Sequence, residues 1–367
     1  MRHARRSQGV VVVLLVFAAI VWCSQAVRKA ERDVGNDLTG YLAASRALYD
    51  GADPYRLPDR FPYIYPLFLA AVLRPLASLP GRVTSTTWFV LQAAALGFVI
   101  HTIASRAAIR RLDGLLVAAA IVAVFGDVLQ NEFLNGQVNV MVLALAVAAI
   151  QWTERRPHVS AFLLGAAIAI KLTPALFLLF WLVERRYRLM AASVAWAGLL
   201  IVSPWLIVHN RLWPMYARYL QEFVLARATS AEPHGRPIFY TVQGFWGWVS
   251  GASPGAIAIL GVSLLVIAAL VVWHQRTRRH DASAVYAAGI PLLTPLSEIH
   301  HLTFLIPAAV VSAGALRDRA VAAGAVLFAI LIWLGRFHRT GPWYFFAILC
   351  VILTACMALR RRDEATH

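Results

Sequence analysis

Long apolar blocks alternate with short polar connections along most of this 367-residue chain. A helix needs about 20 apolar residues to cross a bilayer, with a range near 17–25. Blocks that approach this length run over 10–27, 84–105, 114–130, 138–152, 160–183, 189–208, 255–274, 282–296, 302–316, 320–335 and 343–359. Backbone inside hydrocarbon must satisfy its own hydrogen bonds, so each block is read as a helix. The pattern predicts an all-α, polytopic membrane bundle with about 10–12 crossings, and residues 1–367 as a single membrane domain.

One block departs from the others. Lys171, Leu172, Thr173 and Pro174 sit in the middle of 160–183. Proline removes a backbone donor and kinks a helix. The block is therefore expected to form two half-helices that meet near Lys171 and leave on the side they entered. A single kinked span is the other possibility.

Arg placement orients the bundle, because Lys and Arg collect in cytoplasmic connections. Arg2, Arg5 and Arg6 place the N-terminus inside. Further clusters lie at Arg106/Arg110/Arg111, Arg155/Arg156, Arg185/Arg186/Arg188, Arg276/Arg278/Arg279, Arg317/Arg319 and Arg360/Arg361/Arg362. With the hairpin, every second connection carries a cluster. The opposite connections 131–137 and 297–301 carry no Lys or Arg, and 336–342 is a mild exception. Both termini then fall in the cytoplasm of a multi-pass protein of the inner (plasma) membrane, with the polar chemistry extracytoplasmic. The apolar stretch Val10 to Trp22 resembles a signal peptide. As a first membrane helix it fits this topology better.

Two outer regions are long. The first, 28–83, holds six acids (Glu31, Asp33, Asp37, Asp50, Asp53 and Asp59) and an apolar stretch at 67–79 that suits the interface. The second, 209–254, carries Phe239, Tyr240, Phe245, Trp246 and Trp248. Loops of this length tend to be functional or disordered, and the aromatics argue for function.

Hydrophobic residues make up 60% of the chain and charged residues only 14%, against about 25% in soluble domains. The net charge of +16 sits in short clusters between apolar runs, which is topology and not a nucleic-acid footprint. Cys23, Cys350 and Cys356 lie in or beside apolar runs, so no disulfide framework is expected.

Four places carry candidate chemistry. Asn36 or Asp37 can cap a helix that runs to about Asp50 and ends at Gly51. Tyr41 shares a helix face with Asp37. A carboxylate there can serve as a general base, or merely as a cap. Lys171 is a charge near mid-bilayer, costing roughly 2.5–3.5 kcal/mol on insertion scales and marking function by default. It calls for an anionic partner, unless it snorkels to the headgroups. Ser297-Glu298-Ile299-His300-His301 ends an outer helix. The adjacent His residues can donate to phosphate oxygens. A metal site is the rival, but the pair lacks the i, i+4 spacing of a helical two-His motif. Asn135-Gly136-Gln137-Val138-Asn139 starts another helix, and its amides suit sugar hydroxyls or simple capping.

These pieces, in this order, resemble the polyprenyl-phosphate-dependent glycosyltransferases of family 87, in the C-type superfamily. The matching stretches are Asp37 to Tyr41 with Asp53-Pro54-Tyr55, Tyr63 to Pro66, Asn135 to Asn139, Lys171 to Pro174, and Pro295 to His301. Glu298 departs from the pattern, since the family often has an aromatic before the His pair. The resemblance implies an inverting, mannosyltransferase-like hexosyltransferase. Its donor would be a polyprenyl-phosphate sugar and its acceptor a glycolipid or lipid-linked glycan within the membrane lipids. Asp37 would be the base. Lys171, His300 and His301 would hold the donor phosphate. Tyr41, Asp53, Tyr55, Tyr65, Gln137 and Asn139 would contact sugar or acceptor. No cofactor, metal or nucleic acid is implied. A transporter or flippase of a lipid-linked sugar is the alternative, since broken helices with a mid-membrane Lys occur there too.

Overall fold

The computed structural model describes residues 2–31, 36–57, 62–225, 245, 249–250, 256–277, 282–294, 297–337 and 342–364. Asp33, Asp59, Phe239, Tyr240, Trp246, Trp248 and Pro295 lie outside them. The described residues form helices and no strands. The first region holds α1 (Arg2–Ala30), α2 (Asp37–Tyr49), α3 (Leu67–Val72) and α4 (Arg74–Ala77). Then come α5 (Gly81–Arg106), α6 (Arg111–Val124), α7 (Gly126–Asn135), α8 (Asn139–Gln151), α9 (Pro157–Ile170) and α10 (Leu176–Val183). α11 (Tyr187–Val202), α12 (Trp205–Val208) and α13 (Leu212–Arg218) lead into a π-helical stretch, Tyr219–Leu225. The last third comprises α14 (Ala256–Thr277), α15 (Ser283–Leu293), α16 (Ile306–Ala313), α17 (Arg319–Phe337) and α18 (Trp343–Glu364).

Among the described residues, five stretches are long and apolar enough to cross a membrane: Val12–Ala30, Gly81–Arg106, Tyr187–Leu225, Arg319–Phe337 and Trp343–Arg361. The protein is therefore an all-α polytopic membrane protein. Most other apolar blocks form helices of 10–17 residues. At 1.5 Å per residue these reach about 15–26 Å, short of a ~30 Å hydrocarbon core. Several of them are sheltered by protein instead, as α8, α9 and α15 are. In α15 every residue from Ser283 to Leu292 is buried.

The block 114–130 is not one straight helix. It divides at Phe125 into α6 and α7, bent by 77°. The cause is legible in α7, where Asp127, Gln130, Asn131, Glu132 and Asn135 make a helix too polar to continue through hydrocarbon. The block 302–316 also divides. A 3-10 segment, Ile299–Leu305, precedes α16.

The block 160–183 is re-entrant. Ser193 Oγ donates to the Ala161 carbonyl at 3.0 Å. A Cβ on Gly165 would stand 2.6 Å from that of Trp196. The pairs 161/193 and 165/196 advance together, so α9 and α11 are parallel neighbours. The connecting α10 must run the opposite way. Glu154 and Arg186, at the two feet of the hairpin, form an ion pair. Such a half-exposed pair adds little energy. The close α9–α11 approach at Gly165 depends on a missing side chain, as small residues allow in membrane bundles.

The helix ends that carry Arg106, Arg155, Arg317 and Arg361 gather at one end of the bundle. Arg106 borders the same small recess as Ile150 and Ser283. Arg361 pairs with Asp318 at 3.0 Å. The hairpin apex at Lys171 points to the other end.

The hairpin is open to a direct test. In protein with Cys23, Cys350 and Cys356 replaced by Ala, Glu154→Cys and Arg186→Cys should be joined by a short bis-maleimide. A single crossing would hold them about 30 Å apart, and no cross-linked product would form.

Candidate active site

The site begins with the first turn of α2. Asn36, not Asp37, is the N-cap. Its Oδ1 accepts from Thr39 N at 2.9 Å, and Thr39 Oγ1 accepts from Asn36 N at 2.9 Å. This capping box satisfies the helix start. It does so without the half-buried Asp37 carboxylate, which among the described residues accepts only its own backbone N–H. The simple-cap alternative for Asp37 therefore falls away. Burial raises the Asp37 carboxyl to about 7, and Glu298 adds to the rise, while Lys171 and Lys29 oppose it.

The turn between α7 and α8 seats α2. Gly136 is left-handed, at φ +64°. It ends α7 as glycine commonly does. A Cβ there would lie 2.5 Å from the Leu38 Cβ. Asn36 Nδ2 donates to the Leu134 carbonyl at 3.3 Å. Trp88 Nε1 donates to the Gly136 carbonyl at 2.9 Å and Gln92 Nε2 to that of Gln137 at 2.6 Å. The turn is thus held from behind by α5 and from the front by α2.

Lys171 ends α9 in extended conformation, at φ −149° and ψ 130°. Pro174 then starts a short 3-10 turn. The Lys171 Nζ donates to Asn139 Oδ1 at 2.6 Å and stands 2.8 Å from His301 Nε2. It also lies 5.5 Å from the centre of the Tyr65 ring, within cation–π reach. Glu298 N donates to His301 Nδ1 at 2.9 Å. A neutral His301 then carries its proton on Nε2. Nζ and Nε2 both present hydrogens to the same space, an arrangement that an anionic oxygen accepting from both would relieve. Thr173 Oγ1 is buried and has no hydrogen-bond partner among the described residues.

These groups meet in a cavity of about 230 Å³. Asp37, Tyr65, Gln137, Lys171, His300 and His301 all line it, together with Thr173, Glu298 and the aromatic pair Tyr219 and Phe223. Other expected site residues lie behind its wall. Tyr41 OH donates to Gln137 Oε1 at 3.1 Å and sits 3.0 Å from Tyr65 OH. Asn139 is fully buried. Tyr55 OH donates to the Tyr65 carbonyl at 2.8 Å, and its ring stacks on Tyr219 at 5.5 Å. Asp53 accepts from Tyr55 N at 3.0 Å and pairs with Arg218. Asp53 and Tyr55 thus brace Tyr65 and the Tyr219 stretch. Among the described residues, no three His, Cys, Asp or Glu converge as metal ligands.

The sequence did not single out Tyr219, Phe223 or Glu132. The first two belong to the π-helical stretch, which the pattern assigned to loop. Glu132 is wholly buried beside Asn139. An acid followed seven residues later by an amide was its only signal.

The profile that describes glycosyltransferase family 87 matches residues 63–295. That span contains Tyr65, Gln137, Asn139 and Lys171; it begins after Asp37 and ends before the His pair. A polyprenol-phosphate-mannose-dependent alpha-(1-2)-phosphatidylinositol pentamannoside mannosyltransferase of Mycolicibacterium smegmatis is 29% identical over 268 residues, covering 71% of this chain. The chain spans 63% of that relative's length. A polyprenol-phosphate-mannose-dependent alpha-(1-2)-phosphatidylinositol mannoside mannosyltransferase of the same organism is 28% identical over 340 residues, 81% of this chain and 74% of the relative. Its namesake in Mycobacterium tuberculosis is 24% identical over 72% of this chain and 66% of its own. No solved structure matches the chain.

The seat of α2 predicts a stability effect. Gly136→Ala must adopt a strained backbone and displace Leu38, at a cost of about 1–3 kcal/mol. Thermal melting of the purified protein in detergent should show a lower midpoint. Melting together with the wild type would show that α2 does not rest on this turn.

Proposed function

The chain belongs to glycosyltransferase family 87, and on that premise we propose that it is an inverting mannosyltransferase using a polyprenyl-phosphate donor. The observation that carries this is the shared cavity: an acid, an amine and two imidazoles border one space. The acceptor we propose is a glycolipid of the phosphatidylinositol mannoside class, by analogy with the names of the relatives. The reaction is placed on the extracytoplasmic face. In support, the cavity lies at the end of the bundle opposite the helix ends that carry Arg106 and Arg361, and basic connections stay in the cytoplasm.

The chemistry follows from the geometry. Asp37 accepts the proton of the acceptor hydroxyl as its oxygen attacks the anomeric carbon. The bond from that carbon to the donor phosphate breaks, and one displacement inverts the centre. The polyprenyl phosphate leaves with an added negative charge. Lys171 Nζ, His301 Nε2 and the unpaired Thr173 hydroxyl are placed to meet that charge, and preorganised donors of this kind stabilise it as it develops. His300 stands beside them, its Nδ1 3.3 Å from Asn131 Oδ1. Tyr65 and Gln137 offer polar contacts for the sugar, and Tyr219 and Phe223 offer aromatic faces.

The Asp37 base sets the pH dependence. Only the ionised carboxylate accepts the proton, so turnover should fall as pH drops below about 7, by about tenfold per unit. Asp37→Asn should lower turnover by about 10²–10⁴-fold and lose that limb, with donor binding retained. Lys171→Ala should weaken donor binding by at least about tenfold, as for a lost charged hydrogen bond. These are read with purified protein in lipid, polyprenyl-phosphate mannose, and mass spectrometry of the lipid products. Turnover by Asp37→Asn equal to wild type would remove the transferase mechanism. Product with a different sugar donor alone would move the donor assignment.

A further inference from the structure

Glu132 takes no part in the steps above, yet it is wholly buried within two hydrogen bonds of Lys171. Its Oε1 accepts from Val140 N at 2.9 Å, and its Oε2 accepts from Asn139 Nδ2 at 2.9 Å. Asn139 Oδ1 in turn accepts from Lys171 Nζ at 2.6 Å. An ionised carboxylate only accepts hydrogen bonds, whereas a side-chain amide has a donor edge and an acceptor edge. Glu132 therefore decides which way the Asn139 amide faces. With its NH₂ committed to Glu132, Asn139 can show Lys171 only its oxygen.

We propose that Glu132 is a positioning residue whose acceptor-only chemistry, relayed through Asn139, holds the Lys171 amine at the donor-phosphate site. This rests on the donor-phosphate role proposed for Lys171. The relay has a direction. Val140 N and Asn139 Nδ2 point hydrogens at Glu132, and Lys171 points hydrogens at Asn139. The substitution Glu132→Gln keeps the shape of the side chain but reverses the polarity of one edge. The amide oxygen it introduces can still accept from Val140 N. The amide NH₂ then faces the Asn139 NH₂. If Asn139 turns over to accept from it, the Asn139 NH₂ confronts the Lys171 ammonium. Either arrangement leaves two donors opposed in a buried place, and unmade buried hydrogen bonds are costly.

The same logic specifies a rescue. Combining Glu132→Gln with Asn139→Asp moves the acceptor-only group one step along the relay. The new amide donates to the new carboxylate, the new carboxylate accepts from Lys171, and the net charge is unchanged. The probes are undecaprenyl monophosphate and undecaprenol, with binding to the full chain in nanodiscs measured by native mass spectrometry. Wild-type protein should prefer the phosphate. E132Q should lose that preference by about tenfold or more, the scale of a charge-assisted hydrogen bond. N139D should also lose it, because two carboxylates then face each other. The double variant should recover most of it. With the mannosyl donor, E132Q should raise KM more than it lowers kcat, since Asp37 is untouched.

A merely space-filling Glu132 would tolerate Gln, so a wild-type phosphate preference in E132Q overturns the proposal. A double variant no better than its single parents overturns it too. Should one single variant not accumulate as folded protein, the other serves as the comparison. Should neither accumulate, a folded, phosphate-binding double variant is itself the rescue, and an unfolded one refutes the relay. Wild-type protein that does not distinguish the two probes would instead defeat the donor-phosphate assignment on which the relay depends.

Discussion

The site is arranged around the buried ammonium of Lys171: Asn139 Oδ1 accepts from it, while the His301 Nε2 hydrogen opposes it, and an anionic oxygen accepting from both would relieve that opposition. α9 stops at this residue, α8 begins at the Asn139 that meets it, and the 3-10 segment after Glu298 delivers His301 to it. Three segments far apart in sequence converge on one nitrogen. A shift of α8 by one residue would take Asn139 Oδ1 from the amine, and an unpaired buried charge is among the costlier defects a fold can carry. The cavity is therefore defined from its floor upward, with Asp37 added at the rim by the first turn of α2.

Much of this was legible in the sequence because membrane physics leaves few choices. Apolar block length, Pro174 behind Lys171 and the Arg clusters together implied a hairpin with its apex at the amine, and the α9–α11 contacts have that geometry. The bend between α6 and α7 was less visible. A window centred on 114–130 is apolar on average, and the average hides the polar face that begins at Asp127. The division of residues into those that line the cavity and those that brace it was not legible either. Asp53 and Tyr55 sit in a conspicuous motif, yet they fix the chain around Tyr65. Tyr219 and Phe223 come from a stretch with no motif at all and line the cavity. Motif strength reports how constrained a backbone is, and that is as often a scaffold's need as a substrate's.

The sequence profile and the geometry divide the site in a related way. The family match covers Lys171, Asn139 and Gln137; it begins after Asp37 and ends before the His pair. The covered residues are tied to one another by hydrogen bonds within the bundle. Asp37 is tied to the rest mainly through the backbone of α2, seated on Gly136. Glu298 lines the same cavity and raises the Asp37 carboxyl through its own charge. A rim assembled from such loosely coupled parts can vary without disturbing the hydrogen-bonded residues beneath it.

The shortness of α9 and α10 bears on how the chain is made. With 14 and 8 residues, neither is long enough to be released into lipid as a span in its own right. A lysine at their junction raises the cost of insertion further. The pair must therefore wait at the membrane surface until α8 and α11 stand on either side of the gap. Biogenesis of this chain is then not strictly vectorial: the segment that carries Lys171 enters after helices that follow it in the chain.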